Sequence, residues 1–241
     1  MPTAIITGAS RGLGRALAHG LAQRGWRLVI DARGANDLAR VTEELSPLAG
    51  DVVAVPGDVT DESHRIALVD TAARLGGADV LVNNAGALGP SPLPDLAGLA
   101  LPDLGAVFDA NVAAPLRLIQ LALPQLSGTA ARRAGTADGH SGAIVNITSD
   151  AAVEAYPGWG AYGSSKAALE AITRVLAAEH PDLSIYTADP GDMRTAMHQS
   201  AFPGEDISDR PLPADSVPGI IRLIEERPPS GRYHTAGVRV P

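Results

Sequence analysis

The chain has 241 residues, of which 45% are hydrophobic and only 19% carry a charged side chain. This length allows one α/β domain or two small ones. The formal net charge of −8 argues against nucleic acid as the main partner, because a phosphate backbone needs an excess of Lys and Arg. The lack of cysteine excludes disulfides, thiol catalysis and cysteine-ligated metals.

The first residues, MPTAIITGASRGLG, lack the basic start and continuous apolar segment of a signal peptide. No apolar run approaches the ~20 residues that cross a bilayer. The six histidines show no spacing typical of metal ligands, so we expect no metal site. We therefore expect a soluble, cytoplasmic protein without a membrane partner.

In chain order, short apolar runs alternate with helical patterns. Six runs are almost continuously apolar, as strands covered on both faces tend to be. These predicted strands are Thr3–Thr7, Arg27–Ile30, Val52–Val55, Val80–Asn83, Ala143–Thr148 and Leu183–Ala188. Segments with helical spacing lie at 12–24, 35–46, 61–75, 103–126 and 160–179. Gly25 and Gly76 stand where a helix C-cap is expected.

Helix-length crossovers between apolar strands imply right-handed βαβ units and a parallel sheet. We predict a single domain over residues 1–241. Its fold is a Rossmann-like, doubly wound parallel β-sheet with helices on both faces, which is a three-layer α/β/α arrangement. Three loop regions stand out at 87–102, 129–142 and 190–213, and the second is polar and exposed. The first and third follow strands at the ligand-binding end of such sheets, and 190–213 is the predicted substrate cover.

The first strand runs into the turn Thr7-Gly-Ala-Ser-Arg-Gly-Leu-Gly14, which opens a helix. Glycines 8, 12 and 14 allow a tight turn and let the backbone approach a pyrophosphate. The helix N-terminus adds free N–H groups and the positive end of a dipole. A glycine-rich turn is weak evidence alone, but its place at the first strand–helix junction favours nucleotide binding.

Tyr162 and Lys166 are four residues apart in Gly-Ala-Tyr-Gly-Ser-Ser-Lys, so on a helix they share a face. A protonated amine beside a phenol stabilises the phenolate and lowers the pKa of the phenol. The pair is therefore a candidate general acid/base. An isolated Y-x-x-x-K is more often two ordinary surface residues, so the rest of the chain has to decide.

The glycine turn, followed by Asn83-Asn-Ala-Gly86 and then Tyr162-x-x-x-Lys166, resembles the short-chain dehydrogenase/reductase superfamily in its compact, single-domain branch. The resemblance extends from Thr3 to at least Thr195. It implies an NAD(P)H-dependent oxidoreductase that interconverts a carbonyl and an alcohol on a small molecule. It also implies a homodimer or homotetramer, commonly formed through the helices at 103–126 and 160–179.

By the same resemblance, four residues form the catalytic set. Tyr162 matches the proton donor or acceptor, and Lys166 matches the lysine that lowers the pKa of the tyrosine and binds the nicotinamide ribose. Ser149, thirteen residues before the tyrosine, matches the hydroxyl that polarises the substrate oxygen, and Thr148 is the less favoured choice. Asn111 matches the asparagine that holds a relay water, although on its own a helix kink or turn is the better interpretation.

The resemblance also predicts a larger set of cofactor contacts, which share positions just after strands. They are Gly8, Ser10, Arg11, Gly12, Leu13, Gly14, Arg33, Asp58, Val59, Asn84, Ala85, Gly86, Tyr162, Lys166, Pro190, Gly191 and Thr195. Asn83 is interpreted as mostly structural.

The choice of cofactor depends on the end of the second strand, Asp31-Ala-Arg33. An acid there accepts hydrogen bonds from the ribose 2′-OH of NAD, whereas an arginine accommodates the 2′-phosphate of NADP. We place Ala32 at the discriminating position, so Arg33 and Arg11 favour NADP(H). A shift by one residue would place Asp31 on the ribose and favour NAD(H).

Two further interpretations stay open. The fold is also compatible with a nucleotide-binding sensor or scaffold that performs no turnover, although the complete set of four catalytic residues argues against it. The acidic residues at 189, 192, 205 and 206 suit a cationic substrate, but a solvated loop explains them more simply.

Overall fold

The protein is built on one seven-stranded parallel sheet, and the structure, a computed structural model, describes residues 1–129 and 141–236. In chain order the strands are β1 (Thr3–Ile6), β2 (Arg27–Ala32), β3 (Val52–Pro56), β4 (Val80–Asn83), β5 (Ala143–Ile147), β6 (Ser184–Asp189) and β7 (Gly231–His234). Their order across the sheet is β3-β2-β1-β4-β5-β6-β7, and every neighbouring pair is parallel. The predicted fold class is confirmed.

Helices cover both faces of the sheet. Within the described ranges they are α1 (Gly12–Ala22), α2 (Ala35–Leu45), α3 (Glu62–Arg74), α4 (Leu101–Phe108), α5 (Ala114–Ser127), α6 (Gly160–Glu179), α7 (Ala196–Ala201) and α8 (Val217–Glu226). Gly25 and Gly76 follow α1 and α3 with φ of 73° and 94°, where glycine avoids the strain that a Cβ would bring. Both predicted helix ends are therefore found.

The strand alternation sorts the core into two layers. On β1, Ile6 faces the layer that α1, α2 and α8 cover, while Ile5 faces the layer under α3, α5 and α6. The side chains of a strand point alternately to its two faces, so a strand covered on both sides must be apolar at every position. This requirement explains why the first six strands were recognisable as continuous apolar runs.

The helix predicted at 103–126 is wrong in one respect, because it is two helices. A π-helical turn, Asp109–Ala113, separates α4 from α5. By length and composition alone, the whole segment Leu101–Ser127 also meets the criteria for a candidate membrane span. Leu118, Ile119 and Leu126 are buried in the core, which accounts for the apolar sequence of α5.

Several predicted boundaries move by one or two residues. The second strand extends to Ala32 instead of ending at Ile30, which places Asp31 inside the sheet. The sixth strand is Ser184–Asp189, so Asp189 is its last residue. Of the polar loop predicted at 129–142, residues 130–140 lie outside the described part.

Three elements were not predicted: β7, α7 and α8. Strand β7 has an alternating burial pattern and lies at the sheet edge beside β6, so it lacks the continuous apolar run of the others. Helix α7 lies within the predicted cover 190–213, which is therefore not purely loop. Residues of α7 and α8 line the cleft described next.

Candidate functional site

A cleft of about 1620 Å³ runs along the carboxyl ends of the strands. It contacts every residue of the predicted catalytic and cofactor-binding sets except Gly14 and Asn111. The cleft has two ends. The glycine end is lined by Gly8, residues 10–13, Arg33 and residues 58–59, and the tyrosine end is lined by residues 149–150, Tyr156, Pro157, Trp159, Tyr162 and His198.

The glycine end is shaped by backbone that only glycine adopts easily. Gly8 and Gly12 have φ of 67° and 56°. A Cβ on Gly14 would lie 2.4 Å from the carbonyl oxygen of Gly8, so this glycine supports the turn from beneath instead of lining the cleft. A side chain at any of these positions would fill or distort the cradle, so the turn fits the pyrophosphate expected there.

The N-terminus of α1 opens onto this cradle. Arg11 is the N-cap residue, but no side chain caps the helix and its first turn contains no acid. The first N–H groups of a helix have no partner within the helix, and the helix dipole places positive potential at them. The turn is therefore chemically suited to an anion such as phosphate.

Side chains from the next segments hold the turn in place. The Thr7 hydroxyl accepts hydrogen bonds from the backbone N–H groups of Asn84 and Ala85, each at 2.9 Å. Asn84 Nδ2 donates to the carbonyl oxygen of Thr7 at 2.8 Å. Asn83 donates to Asn146 on β5 at 2.8 Å, which is a structural contact, as expected.

Asp31 is buried beneath the glycine turn. Its Oδ1 accepts the N–H of Gly8 at 2.6 Å, and its Oδ2 lies 2.9 Å from Nε2 of His64. Both oxygens are thus engaged within the protein. His64 was not predicted to take part, because its partner is 33 residues away and no local spacing reveals it.

Arg33 extends from the end of β2 into the rim of the glycine end. Its side chain is 78% exposed and its Nη1 lies 4.0 Å from Oδ2 of Asp58. Asp58 also accepts hydrogen bonds from the backbone and the hydroxyl of Thr60, which, with the charge of Arg33, hold its pKa below the usual value. Asp58 therefore has the turn role that its sequence context alone suggests, and it also contacts the cleft.

Ser149 stands at the tyrosine end, directly after β5. Its Oγ donates to Oδ1 of Asp150 at 2.8 Å and accepts the N–H of Ala151 at 3.2 Å. Asp150 also accepts the phenol hydroxyl of Tyr156 at 3.0 Å. Asp150 was not singled out from the sequence, and its position next to Ser149 is the signal that was available.

Tyr162 and Lys166 lie in the first turns of α6 and both contact the cleft. Lys166, the only lysine in the sequence, donates from Nζ to the carbonyl oxygen of Ile147 at 2.8 Å. The Nζ atom lies 5.5 Å from the centre of the Tyr162 ring. The predicted shared face is found.

The pKa values of this pair do not follow the expected direction. Burial raises the pKa of Tyr162 above its ordinary value, and the charges of Asp150 and Asp189 raise it further, whereas a hydrogen bond with Ser149 lowers it. Burial lowers the pKa of Lys166 to about 8. The expectation that Lys166 makes the phenol acidic is therefore not met in this structure, and Tyr162 is a protonated phenol at neutral pH.

Asn111 lies in the π-helical turn and is fully buried. Its side chain exchanges two hydrogen bonds with the backbone of Ala87, at 2.7 and 2.9 Å, and donates to the Ser165 hydroxyl at 2.9 Å. It does not contact the cleft directly. The kink that its sequence context suggests is present, and its side chain fastens α6 to the segment after β4.

The comparison with known protein families agrees with this geometry. The family model described as short chain dehydrogenase matches residues 2–206. The chain belongs to the short-chain dehydrogenase family. The resemblance drawn from its motifs is confirmed.

Two curated relatives illustrate the breadth of the family. This short-chain dehydrogenase is 37% identical over 178 residues to 1-deoxy-11-beta-hydroxypentalenate dehydrogenase of Streptomyces avermitilis. It is 34% identical over 175 residues to 7alpha-hydroxysteroid dehydrogenase of Escherichia coli. The alignments cover 73% and 72% of this chain but only 62% and 63% of the relatives.

Solved structures match over more of their length. A short chain dehydrogenase from Shigella flexneri complexed with NADP has a TM-score of 0.85 at 27% identity, covering 97% of this chain and 96% of that one. An alcohol dehydrogenase from Thermococcus sibiricus complexed with 5-hydroxy-NADP has a TM-score of 0.82 at 27% identity. That match covers 100% of this chain and 99% of the other.

In this short-chain dehydrogenase, the turn after β6 connects the cleft to the sheet edge. Gly191 has a φ of 69° and donates its N–H to Asp189 at 3.0 Å, while the Ser216 hydroxyl donates to the carbonyl of Pro190 at 2.7 Å. The Thr195 hydroxyl caps α7 by accepting the N–H of His198. All three predicted residues, Pro190, Gly191 and Thr195, border the cleft.

An ion network beneath Ser149, in which the partly exposed Arg232 joins two buried acids, was missed. Arg232 on β7 contacts Glu170 at 3.0 Å and Asp189 at 2.9 Å, and its Nη2 donates to the carbonyl of Ser149 at 3.3 Å. Thr148 donates to Glu170 at 2.6 Å, so this hydroxyl is engaged in the network. These partners are 22 to 83 residues apart, and only the folded sheet brings them together.

No group of three or more His, Asp or Glu residues suited to a metal ion occurs within residues 1–129 and 141–236. The cleft instead combines an anion cradle at one end with hydroxyls, an amine and a carboxylate at the other. Such an arrangement can hold a dinucleotide and transfer protons next to it.

Proposed function

We propose that this protein is an NADP(H)-dependent oxidoreductase that interconverts a ketone or aldehyde carbonyl and an alcohol. The observation that carries the proposal is the position of Ser149, Tyr162 and Lys166 in the same cleft as the glycine turn. An anion cradle without the hydroxyl pair would suit a simple nucleotide binder. The two together suit a dehydrogenase.

The cofactor, when bound, supplies or accepts the hydride. The Ser149 hydroxyl turns from Asp150 to donate to the substrate oxygen, which stabilises negative charge developing there. Tyr162, protonated at neutral pH, donates the proton that this oxygen needs during reduction. Lys166 holds its amine against the carbonyl of Ile147, beside the phenol ring, as a donor for the nicotinamide ribose.

The preference for NADP(H) is supported by charge at the glycine end. Arg33 and Arg11 both border it, and either can meet a 2′-phosphate. Asp31, the residue that would select NAD(H), has both oxygens occupied by Gly8 and His64. Two of the similar solved structures carry NADP or a derivative of it.

The wider proposal is a single domain over residues 1–241 that acts on a small molecule in the cytoplasm, without nucleic acid or membrane as partner, as a homodimer or homotetramer. On α6, Val175 is 56% exposed, which suits pairing with a second copy. Residues 190–213 cover the substrate.

The test is a fluorescence titration of the protein with NADPH and NADH, followed by a panel of ketones, aldehydes and alcohols with the cofactor that binds. We expect tighter binding of NADPH and turnover of part of the panel. Equal or tighter binding of NADH would overturn the cofactor preference. Tight binding without any turnover would favour the alternative, a nucleotide-binding sensor or scaffold.

A further inference from the structure

The tyrosine end contains a carboxylate that is surrounded by neutral donors. Asp150 accepts hydrogen bonds from the hydroxyls of Ser149 and Tyr156 and from the N–H of Ala151. In the described ranges, its interactions include no ion pair with a basic side chain. Burial raises the pKa of Asp150, but these hydrogen bonds outweigh burial and leave the pKa below its usual value. The group is therefore a negative charge at neutral pH.

A second carboxylate in the cleft wall is in a different position. Asp192 lies 3.7 Å from Nε of Arg210 and 3.9 Å from Nδ1 of His198, so its charge is partly balanced within the cover segment. The one arginine of that wall, Arg194, directs Nη1 to the carbonyl of Ser208 at 3.5 Å. Of these two carboxylates, Asp150 is thus the one that has no ion pair with a basic side chain in the part of the chain that the structure describes.

Aromatic rings concentrate at the same place. The chain has only two Trp, two Phe and four Tyr residues, yet one Trp, one Phe and two Tyr border the cleft. The Trp159 ring is central, with ring centres at 6.5 Å from Tyr156, 5.7 Å from Tyr162 and 6.0 Å from Phe202. The faces of such rings attract cations, and most strongly the face of Trp.

From this combination we infer that the substrate carries a cationic amine close to its reacting carbon, which makes it an amino ketone or the matching amino alcohol. The ammonium binds Asp150, and the rings of Tyr156 and Trp159 lie beside it. The inference rests on the proposed function, because it names the substrate class of the same site.

The distance between Ser149 and Asp150 limits where the amine of the substrate can lie relative to its reacting carbon. Ser149 Oγ, the proposed partner of the substrate oxygen, lies 2.8 Å from Oδ1 of Asp150. One group that binds the oxygen and one that binds the ammonium are therefore adjacent. An amine on the carbon next to the carbonyl, or one carbon further, reaches Asp150 while the carbonyl oxygen stays at Ser149 and Tyr162.

The reaction balances simply. The amino ketone takes a hydride from NADPH at its carbonyl carbon and a proton from Tyr162 at its oxygen, which gives the amino alcohol and NADP⁺. Tyr162 regains its proton from solvent, and the ammonium keeps its own. The cation also offsets the charge of Asp150, which is one of the causes that raise the pKa of Tyr162, so it makes the phenol a better donor.

The experiment compares ligands of equal size that differ in charge. Binding of 1-amino-2-propanol and of 2-butanol to the NADPH-loaded protein is measured by calorimetry at pH 6.5, and reduction of aminoacetone and of butan-2-one is measured separately. We expect the ammonium ligand to bind at least about tenfold more tightly, which a charge-assisted hydrogen bond readily provides. We expect aminoacetone to have the higher kcat/KM by a similar factor.

The matched variants are Asp150→Asn and Glu179→Gln. Each removes one negative charge, but Glu179 is exposed at the end of α6, away from the cleft. Asp150→Asn should reduce both preferences to nearly one, while Glu179→Gln should keep them. If Asp150→Asn does not fold, Asp150→Ser takes its place and should reduce both preferences in the same way.

Equal or tighter binding of 2-butanol to the wild-type protein would overturn the inference. An undiminished preference for the ammonium ligand in the Asp150 variant would overturn it too. Turnover of neutral ketones without preference for the amine removes only the inference. Charge-selective binding without turnover of either ketone keeps the amine site and removes the proposed function.

Discussion

The two ends of the cleft are built in different ways. The glycine end consists of backbone N–H groups, small residues and arginines, and most of it comes from one short stretch between β1 and α1. The tyrosine end consists of side chains from three separate segments, and it carries acids and aromatic rings. The glycine end is therefore suited to bind a phosphate group through its backbone, whereas the tyrosine end is suited to bind a particular substrate through its side chains.

This contrast has a consequence for mutation. At the glycine end, a change of one side chain removes only part of the binding, because the backbone supplies the rest. At the tyrosine end, a single atom can decide whether the reaction proceeds. The following changes separate the two ends, beginning with the largest expected effect.

Tyr162→Phe should stop the chemistry and leave cofactor binding intact. Loss of a general acid typically lowers the rate by about 10²–10⁴-fold, and we expect kcat to fall by that amount. The dissociation constant of NADPH, measured by fluorescence titration, should change less than about threefold, because the glycine end is untouched. Rates close to wild type would show that another group donates the proton.

Arg232→Met should destabilise the fold by disrupting the ion network beneath the tyrosine end. It leaves the buried carboxylates of Glu170 and Asp189 without their closest cation, although Arg174 and His234 remain within 3.9 Å. Removing one member of a buried ion network usually destabilises by several kcal/mol, and we expect the free energy of unfolding in urea to fall by on the order of 3 kcal/mol.

The control for this change is Arg222→Met, which removes an exposed ion pair with Glu226 on α8. Such pairs contribute about 0–1 kcal/mol, so this variant should stay close to wild type. An equal decrease in the free energy of unfolding for the two variants would mean that the network beneath Ser149 contributes no more to stability than an exposed ion pair.

Lys166 should make stability depend on pH at alkaline values. Its folded-state pKa is about 8, below the ordinary value of 10.5, so between these two values the unfolded chain binds more protons than the folded protein. Stability therefore rises as pH increases from about 8 to 10.5, where the burial of a charged amine no longer opposes folding. We expect the melting temperature to rise over this window by on the order of 5 °C relative to Lys166→Met. A constant difference between the two proteins would contradict the lowered pKa.

Arg33→Ala should give the smallest and most selective effect. The side chain is exposed, so we expect the dissociation constant of NADPH to increase about tenfold, with little change for NADH. Arg40→Ala, on the exposed surface of α2 outside the cleft, is the matched loss of charge and should change neither. If Arg33→Ala weakens the binding of NADPH and NADH equally, Arg33 does not bind the 2′-phosphate.

The parts that the sequence predicted are those encoded over short distances. The first six strands are continuous apolar runs, and the glycine turn and the Tyr162–Lys166 pair lie within single short stretches. Strand β7, Gly231–His234, escaped prediction because its sequence, GRYH, is not a continuous apolar run like those of the other six strands. The break at Asp109–Ala113 escaped because the apolar pattern continues through it.

The parts of the site that were missed are pairings over long distances. Asp31 meets His64 beneath the glycine turn, and Arg232 meets Glu170 beneath Ser149, and no local pattern announces either contact. The direction of the Tyr162 pKa was predicted from Lys166 alone. It is set instead by burial and by two acids, Asp150 and Asp189, whose proximity appears only in the folded chain.

Because Lys166 is the only lysine in the sequence, chemical labelling of lysine would report whether the region around it is folded. Lys166 is buried, so a reagent that acylates lysine side chains should react with it slowly while the fold is intact. Local unfolding around the cleft would expose the amine of Lys166, and mass spectrometry would detect its modification as a single added label.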